Sequence, residues 1–423
     1  MSVTFDNFAL SEPIQRALRD RNYTVPSPIQ EQTIHLVLEG HDVMGCAQTG
    51  TGKTAAFALP ILQHLSKHPR ERMRMCPRVL VLAPTRELAS QIQASFKSYG
   101  AYLPFQSTVV FGGVGQNPQV QALQRGPEIV VATPGRLLDL LQQGKVNFRQ
   151  LEILVIDEAD RMLDMGFIHD VRRIIALLPT KRQSLFFSAT MPQAIIDLAG
   201  SILKNPKHVE VTPPATTVEK IDQTVCHVGM ADKRTLLHHL LKGRKEGLAL
   251  VFSATKHGAN RLAEQLSKSG MPADAIHGNK SQGARERALE NFRSGRTRIL
   301  VATDIAARGI DVKGIDLVIN YDLPKEPESY VHRIGRTARA GAEGRAISLC
   351  DEQSQSLLRQ IERTIRTSVP VDRSHPFHRE PVSTDARNAP PQQRGGRRGG
   401  GGGGQRQGQS RNGGRRREAA SSR

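Results

Sequence analysis

The sequence predicts an α/β fold: two domains of similar size, each a mostly parallel sheet flanked by helices, followed by a disordered C-terminal tail. Three observations carry this. Short apolar runs alternate with amphipathic stretches from residue 28 to 350. Strand, helix, strand at that spacing requires right-handed crossovers, hence parallel sheets covered on both faces. The segment VTPPATTVE, residues 211–219, holds two prolines and three threonines without an apolar period, so it reads as an exposed linker. Past residue 370 the composition changes: residues 394–414 hold 11 glycines in 21 positions, and residues 371–423 carry 12 Arg against 4 Asp or Glu, a net of +8. Such a segment buries too little to offset its chain entropy. The expected division is therefore 1–210, a linker at 211–219, 220–370 and a basic Gly/Arg-rich tail at 371–423.

Taken in order, the strand candidates of the first half are 42–46, 79–83, 107–111, 129–132, 153–156 and 184–187. Those of the second are 224–228, 248–252, 273–276, 299–302, 317–320 and 346–349. Several are apolar at every position, as strands buried on both faces are. Helical periods fill the gaps, for example 55–65, 87–99 and 258–268. The halves are read as sharing no repeated motif.

Composition narrows the class. At 423 residues and 38% hydrophobic content, two globular cores are affordable. The formal net charge of +19 points to a polyanionic partner. Cys46, Cys76, Cys226 and Cys350 lie far apart with no CxxC, which speaks against a zinc site or a disulfide framework. The N-terminus has no basic-then-apolar leader, and no apolar run reaches bilayer length. A cytoplasmic protein with no membrane partner is expected.

Chemistry concentrates at strand ends, where doubly wound sheets bind ligands. AQTGTGKT, residues 47–54, fits a phosphate loop. Gly50 and Gly52 let backbone N–H groups turn on an anion, Lys53 can reach the β/γ-phosphates, and the Thr54 hydroxyl can ligate Mg²⁺. Ala47 stands where a glycine is usual. After the run 153–156 come Asp157, Glu158 and Asp160. Asp157 can hold the metal opposite Thr54, and Glu158 can deprotonate a water. Capping of the helix near Ala159 accounts for one acid, not three. HRIGRTARAG, residues 332–341, sets Arg333, Arg336 and Arg339 three apart, either a solvated helix face or arginine fingers for a transferring phosphoryl group.

These stretches, in this order, resemble the motifs of the DEAD-box ATP-dependent RNA helicases of superfamily 2, over about residues 5–350. Residues 157–160 spell DEAD, and VPSPIQ at 25–30 resembles the Q motif. AQTGTGKT resembles motif I, where that family commonly has Ala first. PTRELA (84–89), Gly112–Gly113 and TPGR (133–136) resemble motifs Ia and Ib, and SAT (188–190) motif III. VFSATK (251–256), the QxxR of 282–285, ATDIAARGID (302–311) and HRIGRTAR (332–339) resemble the motifs of the second half. The resemblance implies two RecA-like domains and the cofactors ATP and Mg²⁺. For ATP it implies Phe5, Tyr23, Gln30, Ala47, Gln48, Thr49, Gly50, Thr51, Gly52, Lys53, Thr54 and Asp311, with Gln30 reading the adenine and Phe5 stacking on it. Catalysis would rest on Lys53, Asp157, Glu158, Arg336 and Arg339, and coupling between domains on Asp160, Ser188, Thr190 and His332. RNA would be held by Thr85, Arg86, Gly113, Thr133, Gly135 and Arg136, and by Gln282, Arg285, Thr303, Asp304 and Arg308. Such groups suit sugar–phosphate contacts rather than base reading.

Within the family the chain looks most like the bacterial RhlE-like branch. The implied function is RNA-stimulated ATP hydrolysis coupled to opening of short RNA duplexes, in ribosome assembly or RNA turnover, with ribosomal or RNA-decay proteins as partners. The tail would add non-specific, salt-sensitive RNA binding or serve as a spacer. An ATP-gated RNA clamp without unwinding and a DNA translocase are the rival readings.

Overall fold

The computed structural model describes residues 3–47, 50–211, 221–242, 246–307, 314–338 and 344–380, with Arg244 and Val312. In the first half β1 (Val43–Cys46), β2 (Val79–Leu82), β3 (Ser107–Val110), β4 (Ile129–Ala132), β5 (Ile153–Ile156), β6 (Gln183–Ser188) and β7 (Lys207–Glu210) form one sheet, ordered β3-β4-β2-β5-β6-β1-β7. In the second, β8 (Ile221–His227), β9 (Leu248–Phe252), β10 (Ala273–Ile276), β11 (Ile299–Ala302), β12 (Ile315–Asn320) and β13 (Gly344–Cys350) form another, ordered β10-β11-β9-β12-β13-β8. Every ladder between these strands is parallel. Leaving β7 aside, β3, β4, β2, β5, β6 and β1 correspond in order to β10, β11, β9, β12, β13 and β8. The two halves repeat one topology and, contrary to expectation, FSAT recurs at a strand end in each, at 187–190 and 252–255.

The all-apolar runs have a direct cause. Val79, Val81, Ile153 and Val155 face one core of the first sheet, whereas Leu80, Leu82, Leu154 and Ile156 face the other. Successive side chains point to opposite faces, so burial on both sides leaves no polar position. Phe57 is fully buried, and cutting such a side chain back to Ala costs about 3–5 kcal/mol. Helix starts are fixed by capping hydroxyls. Thr85 accepts from the Leu88 N–H at 3.2 Å, Thr255 from Gly258 at 3.0 Å and Ser281 from Ala284 at 3.3 Å.

Two expectations need correction. β7 reads KHVE and buries only Val209, so this edge strand carries no apolar run to announce it. The packed chain also continues past residue 370, where the tail was expected to start. β8 is the edge strand of its sheet, and residues 370–380 cover part of its exposed edge. The Val225 N–H donates to the Pro370 carbonyl at 2.8 Å, Asp372 N–H to Val225 at 2.9 Å and Arg379 N–H to His227 at 3.1 Å. The linker beyond Val211 and the tail beyond residue 380 lie outside the described residues.

Candidate functional site

The loop after β1 leads into the helix Lys53–Lys67, whose N-cap is Gly52 in the left-handed region at φ 94°. An added Cβ at Gly52 would lie 2.3 Å from Gln30 Nε2, so only glycine fits the turn. Gln30 and Ser27 hold this loop from the side. The Ser27 N–H donates to Gln30 Oε1 at 2.9 Å, Gln30 Nε2 donates to the Gly52 carbonyl at 3.1 Å, and the Ser27 hydroxyl donates to the Thr51 carbonyl at 2.7 Å. Gln30, expected on the adenine, thus also braces the loop. Ser27 was not anticipated, although S-x-x-Q before an apolar helix is a capping-box signature. Lys53 is buried and donates to the Ala47 carbonyl at 2.6 Å. Gln48 and Thr49 lie outside the described residues.

Phe5 sits in the core at 2% exposure, with its ring centroid 6.1 Å from that of Tyr23. Tyr23 is 38% exposed. Of this aromatic pair, Tyr23 is the more exposed ring and Phe5 lies in the core.

β5 ends at two buried carboxylates. Asp157 is 2% exposed and its Oδ1 has no partner among the described residues. Burial pushes its pKa up to about 7 against the pull of Lys53. An orphaned carboxylate oxygen is what a magnesium site with few protein ligands presents, and a cation there would reverse that rise. Among the described residues no three His, Cys, Asp or Glu side chains form a metal cage. Glu158 has left-handed backbone at φ 55°, a strained conformation typical of functional sites. Burial would raise its pKa, but Arg161, Lys53 and Arg336 outweigh that and hold the carboxyl below the usual range. Arg161, 1% exposed and one turn further on, pairs with Glu158 directly. It was missed in the sequence, where an i,i+3 spacing is a weak signal.

Asp160, Ser188 and Thr190, expected to couple the halves, bond one another within the first. Asp160 Oδ2 accepts from Ala189 N–H at 3.1 Å, Thr190 N–H at 3.0 Å and the Thr190 hydroxyl at 3.2 Å, while Asp160 N–H donates to the Ser188 hydroxyl at 3.1 Å. The cause is adjacency: β5 and β6 are neighbours, so their ends meet. His332 does stand between the halves, lining a cavity with Arg161 from the first half and Phe252, Asp304, Ser329, Arg333 and Arg336 from the second.

Arg333 and Arg336 do not share a helix face. The helix Pro327–Ile334 ends before Arg336, which follows in a turn. Arg333 forks onto both Asp304 oxygens at 2.5 and 2.6 Å and donates to Asn320 at 3.1 Å. Asp304, expected on RNA, is therefore held by Arg333. Arg339, Asp311 and Arg308 lie outside the described residues.

Other expected RNA residues divide. The Thr85 hydroxyl caps its helix and is buried. Gln282 is buried and donates to Glu286 at 3.0 Å. Arg285 forms a 2.8 Å ion pair with Glu87 of the first half, both buried. The tie between halves is thus Glu87–Arg285, and Glu87 was a site residue the sequence reading passed over inside PTRELA. Arg86, Gly113 and Arg136 stay together: Gly113 at φ 73° packs against the Arg86 guanidinium, and Arg136 reaches the Val114 carbonyl at 3.4 Å. Burial and the nearby Arg285 and Arg136 lower the Arg86 pKa, as a concentration of like charge does. Thr133 is buried at the start of the helix Pro134–Gln142, with Gly135 in its first turn, while Thr303 is half-buried after β11.

Comparison with known proteins agrees with this geometry. Residues 27–198 match the family model "DEAD/DEAH box helicase" and residues 232–341 match "Helicase conserved C-terminal domain". The chain is 45% identical over 369 residues to the ATP-dependent RNA helicase DeaD of Escherichia coli, covering 87% of this chain and 58% of that protein. It therefore spans less than two thirds of those bacterial relatives. It is 43% identical to the ATP-dependent RNA helicase DBP2 of Eremothecium gossypii, covering 87% of this chain and 68% of that protein. Among solved structures, Saccharomyces cerevisiae Dbp5 bound to RNA and ADP BeF3 superposes with a TM-score of 0.78 at 32% identity, covering 87% and 95% of the two chains. Mss116p bound to ssRNA and AMP-PNP gives 0.80 at 30% identity, covering 89% and 80%. A DEAD box protein from Methanococcus jannaschii gives 0.52 at 37% identity, covering 88% and 99%. By these matches the chain belongs to the DEAD-box family of ATP-dependent RNA helicases.

Proposed function

We propose that this chain is an RNA-stimulated ATPase that opens short RNA duplexes and remodels RNA–protein contacts, with a catalytic centre divided between residues 1–210 and 220–370. The observation that carries this reading is that Arg336 of the second half lines one cavity with Arg161 of the first, the residue paired with Glu158. Closure then completes the site.

In this reading Tyr23 and Gln30 take the adenine, and the 47–54 loop with Lys53 takes the phosphates. Thr54 and Asp157 would hold Mg²⁺, which supplies charge neutralisation of the phosphates when bound. Glu158 orients the water and accepts its proton as the bond from the γ-phosphorus to the bridging oxygen breaks; ADP and phosphate leave. Arg336, with Arg339, offsets charge developing on the phosphoryl oxygens. Asp160, Ser188 and Thr190 fix the first-half wall, Glu87–Arg285 ties the halves, and Arg86, Gly113 and Arg136 offer cationic and backbone contacts to an RNA strand.

Higher similarity to RNA- and nucleotide-bound neighbours than to the archaeal protein, despite lower identity, is in keeping with like halves in a different arrangement. The RhlE-like branch, the cytoplasm, and roles in ribosome assembly or RNA turnover rest on the sequence resemblance and the basic charge. The test compares ATP turnover with RNA, with single-stranded DNA of the same sequence, and with neither, alongside strand displacement on a short duplex with an overhang. We expect stimulation by RNA alone and displacement that needs ATP. Equal stimulation by DNA would contradict the substrate class, and RNA-stimulated turnover without displacement would favour a clamp.

A further inference from the structure

Lys53, Thr85, Thr133 and Asp157 all follow strands, at the carboxyl end of the first sheet. The opposite end carries a group of cations that this site leaves unused. β4, β2 and β5 are neighbours and begin in one layer, since Val79 is in register with Ile129 on one side and Ile153 on the other. The three segments that lead into them therefore come together. The Met75 N–H donates to the Leu123 carbonyl at 3.0 Å, and the Asn147 N–H donates to the Met75 carbonyl at 2.9 Å. Gly126, at φ 72°, lies so close to this junction that an added Cβ would stand 3.1 Å from the Met73 carbonyl oxygen. The buried Cys76 thiol donates to Asn147 Oδ1 at 3.1 Å. Residues 72–76, 123–126 and 145–150 thus form one braced platform.

Arg74, Arg125, Lys145 and Arg149 stand on it, all four exposed. None of them takes part in an ion pair among the described residues, because the carboxylates at this end hold other cations. Glu128 is buried and accepts from Arg72 and from the Gln106 N–H, each at 2.8 Å, while Glu152 takes Arg78 and Arg70. Against the four stands Glu71, exposed just before the first segment. The platform offers no ring for a splayed base, since its one aromatic side chain, Phe148, is buried. Exposed cations without a ring suit the phosphate backbone of a duplex. An acidic protein would meet the same charge, but Met73 is the one large apolar side chain exposed here, too little for the core of a protein interface. Strands of four residues, about 13 Å long, separate the two ends of the sheet, so an RNA strand lying across the carboxyl ends does not reach the platform. We propose that this platform is a second RNA site, which grips the backbone of double-stranded RNA apart from the segment being opened. The proposal rests on the family's RNA substrate and not on the division of the catalytic centre. It makes the platform a tether to structured RNA.

The full chain is titrated, without nucleotide, into a labelled blunt RNA duplex at several salt concentrations. Combining Arg74→Gln, Arg125→Gln, Lys145→Gln and Arg149→Gln should weaken binding roughly tenfold or more at low salt. The slope of log affinity against log salt should become shallower by about 2 to 4, as expected when that many phosphate contacts are lost. A second variant combines Lys242→Gln, Lys268→Gln, Arg293→Gln and Arg363→Gln, four exposed cations of the second half. It removes the same charge and should change duplex affinity far less. ATP turnover at saturating single-stranded RNA should match wild type in both. Unchanged affinity and slope in the platform variant would overturn the proposal. Equal losses in the two variants would do so as well, since net charge and not the platform would then be responsible. A loss of turnover at saturating single-stranded RNA would assign the four residues to the path of the opened strand and remove the second site. Duplex binding is read without nucleotide, so a wild type lacking RNA-stimulated turnover would sink the functional reading while this measurement still decides the platform.

Discussion

The helix after β1 and the helix after β8 occupy the same place in two copies of one topology, and both begin on a buried lysine, Lys53 and Lys233. Their surroundings differ. Lys53 follows a left-handed glycine and rests on a neutral carbonyl, that of Ala47. Lys233 follows Asp232 in ordinary helical conformation and is pinned by Asp351 at 2.7 Å, with Asp322 at 3.7 Å. Arg379, from the segment covering β8, closes over the same turn by pairing with Asp232 at 2.8 Å. Lys53 stands at a glycine turn beside Asp157 and Glu158, the strand-end acids of the candidate site, whereas Lys233 is bound into an ion pair with Asp351 at the corresponding turn. The topology supplies the position, and the loop chemistry decides whether it binds.

Substituting the two lysines breaks the comparison most sharply. Lys233→Ala should leave nucleotide affinity unchanged and destabilise the second half by about 3–5 kcal/mol, since Asp351 is left buried without its cation. Lys53→Ala should barely change the melting transition but weaken ATP binding by roughly 10- to 100-fold, the loss of a charged hydrogen bond. Chemical denaturation and fluorescent-nucleotide titration read the two effects. Similar nucleotide loss in both variants would mean that the second junction also binds phosphate.

The tie between the halves gives the next effect. Arg285→Ala leaves Glu87 without its cation in the closed arrangement, so ATP-dependent RNA affinity should fall by roughly 100-fold, with nucleotide-free affinity changing far less. Equal losses in both states would make Arg285 a direct RNA contact.

A smaller effect contrasts this interface with an ion-pair network confined to the first half. Glu152 accepts from Arg78 at 2.7 and 2.9 Å and from His64 at 2.7 Å, with Arg70 at 3.0 Å. Burial would raise its pKa, but these donors lower it from the usual 4.5 to about 2. A carboxyl depressed on folding contributes stability that is full above pH 4.5 and is lost as pH falls towards 2. Glu152→Gln should cost about 1–2 kcal/mol at neutral pH, a figure reduced for partial exposure, and should flatten the acid limb of the stability curve. An unchanged acid limb would show that the network contributes nothing. The smallest expected effect is that of deleting residues 381–423: a modest loss of RNA affinity and a shallower dependence on salt. No change at low salt would make the tail a spacer.

The sequence made both sheets legible because β4, β5, β9 and β11 carry apolar runs that match the strands end to end. It hid β7, a polar edge with one buried residue, and the covering of β8 by residues 370–380, which contain few apolar residues. Site residues next to glycine turns and acid runs, such as Lys53 and Asp157, were equally legible, since their chemistry is written into a few adjacent positions. Partners far apart in the chain were not. That Arg285 meets Glu87, that Arg333 meets Asp304, and that Asp160 turns back to Thr190 depend on tertiary placement that no local pattern encodes.

The central claim is that water activation sits on Glu158 in one half and is completed by cations from the other. RNA-stimulated ATP turnover of Glu158→Gln, measured with ATP-dependent RNA binding on the same preparation, tests it most directly. Turnover should fall by about 100-fold or more while RNA is still captured when ATP is present. Turnover at the wild-type rate would contradict the account.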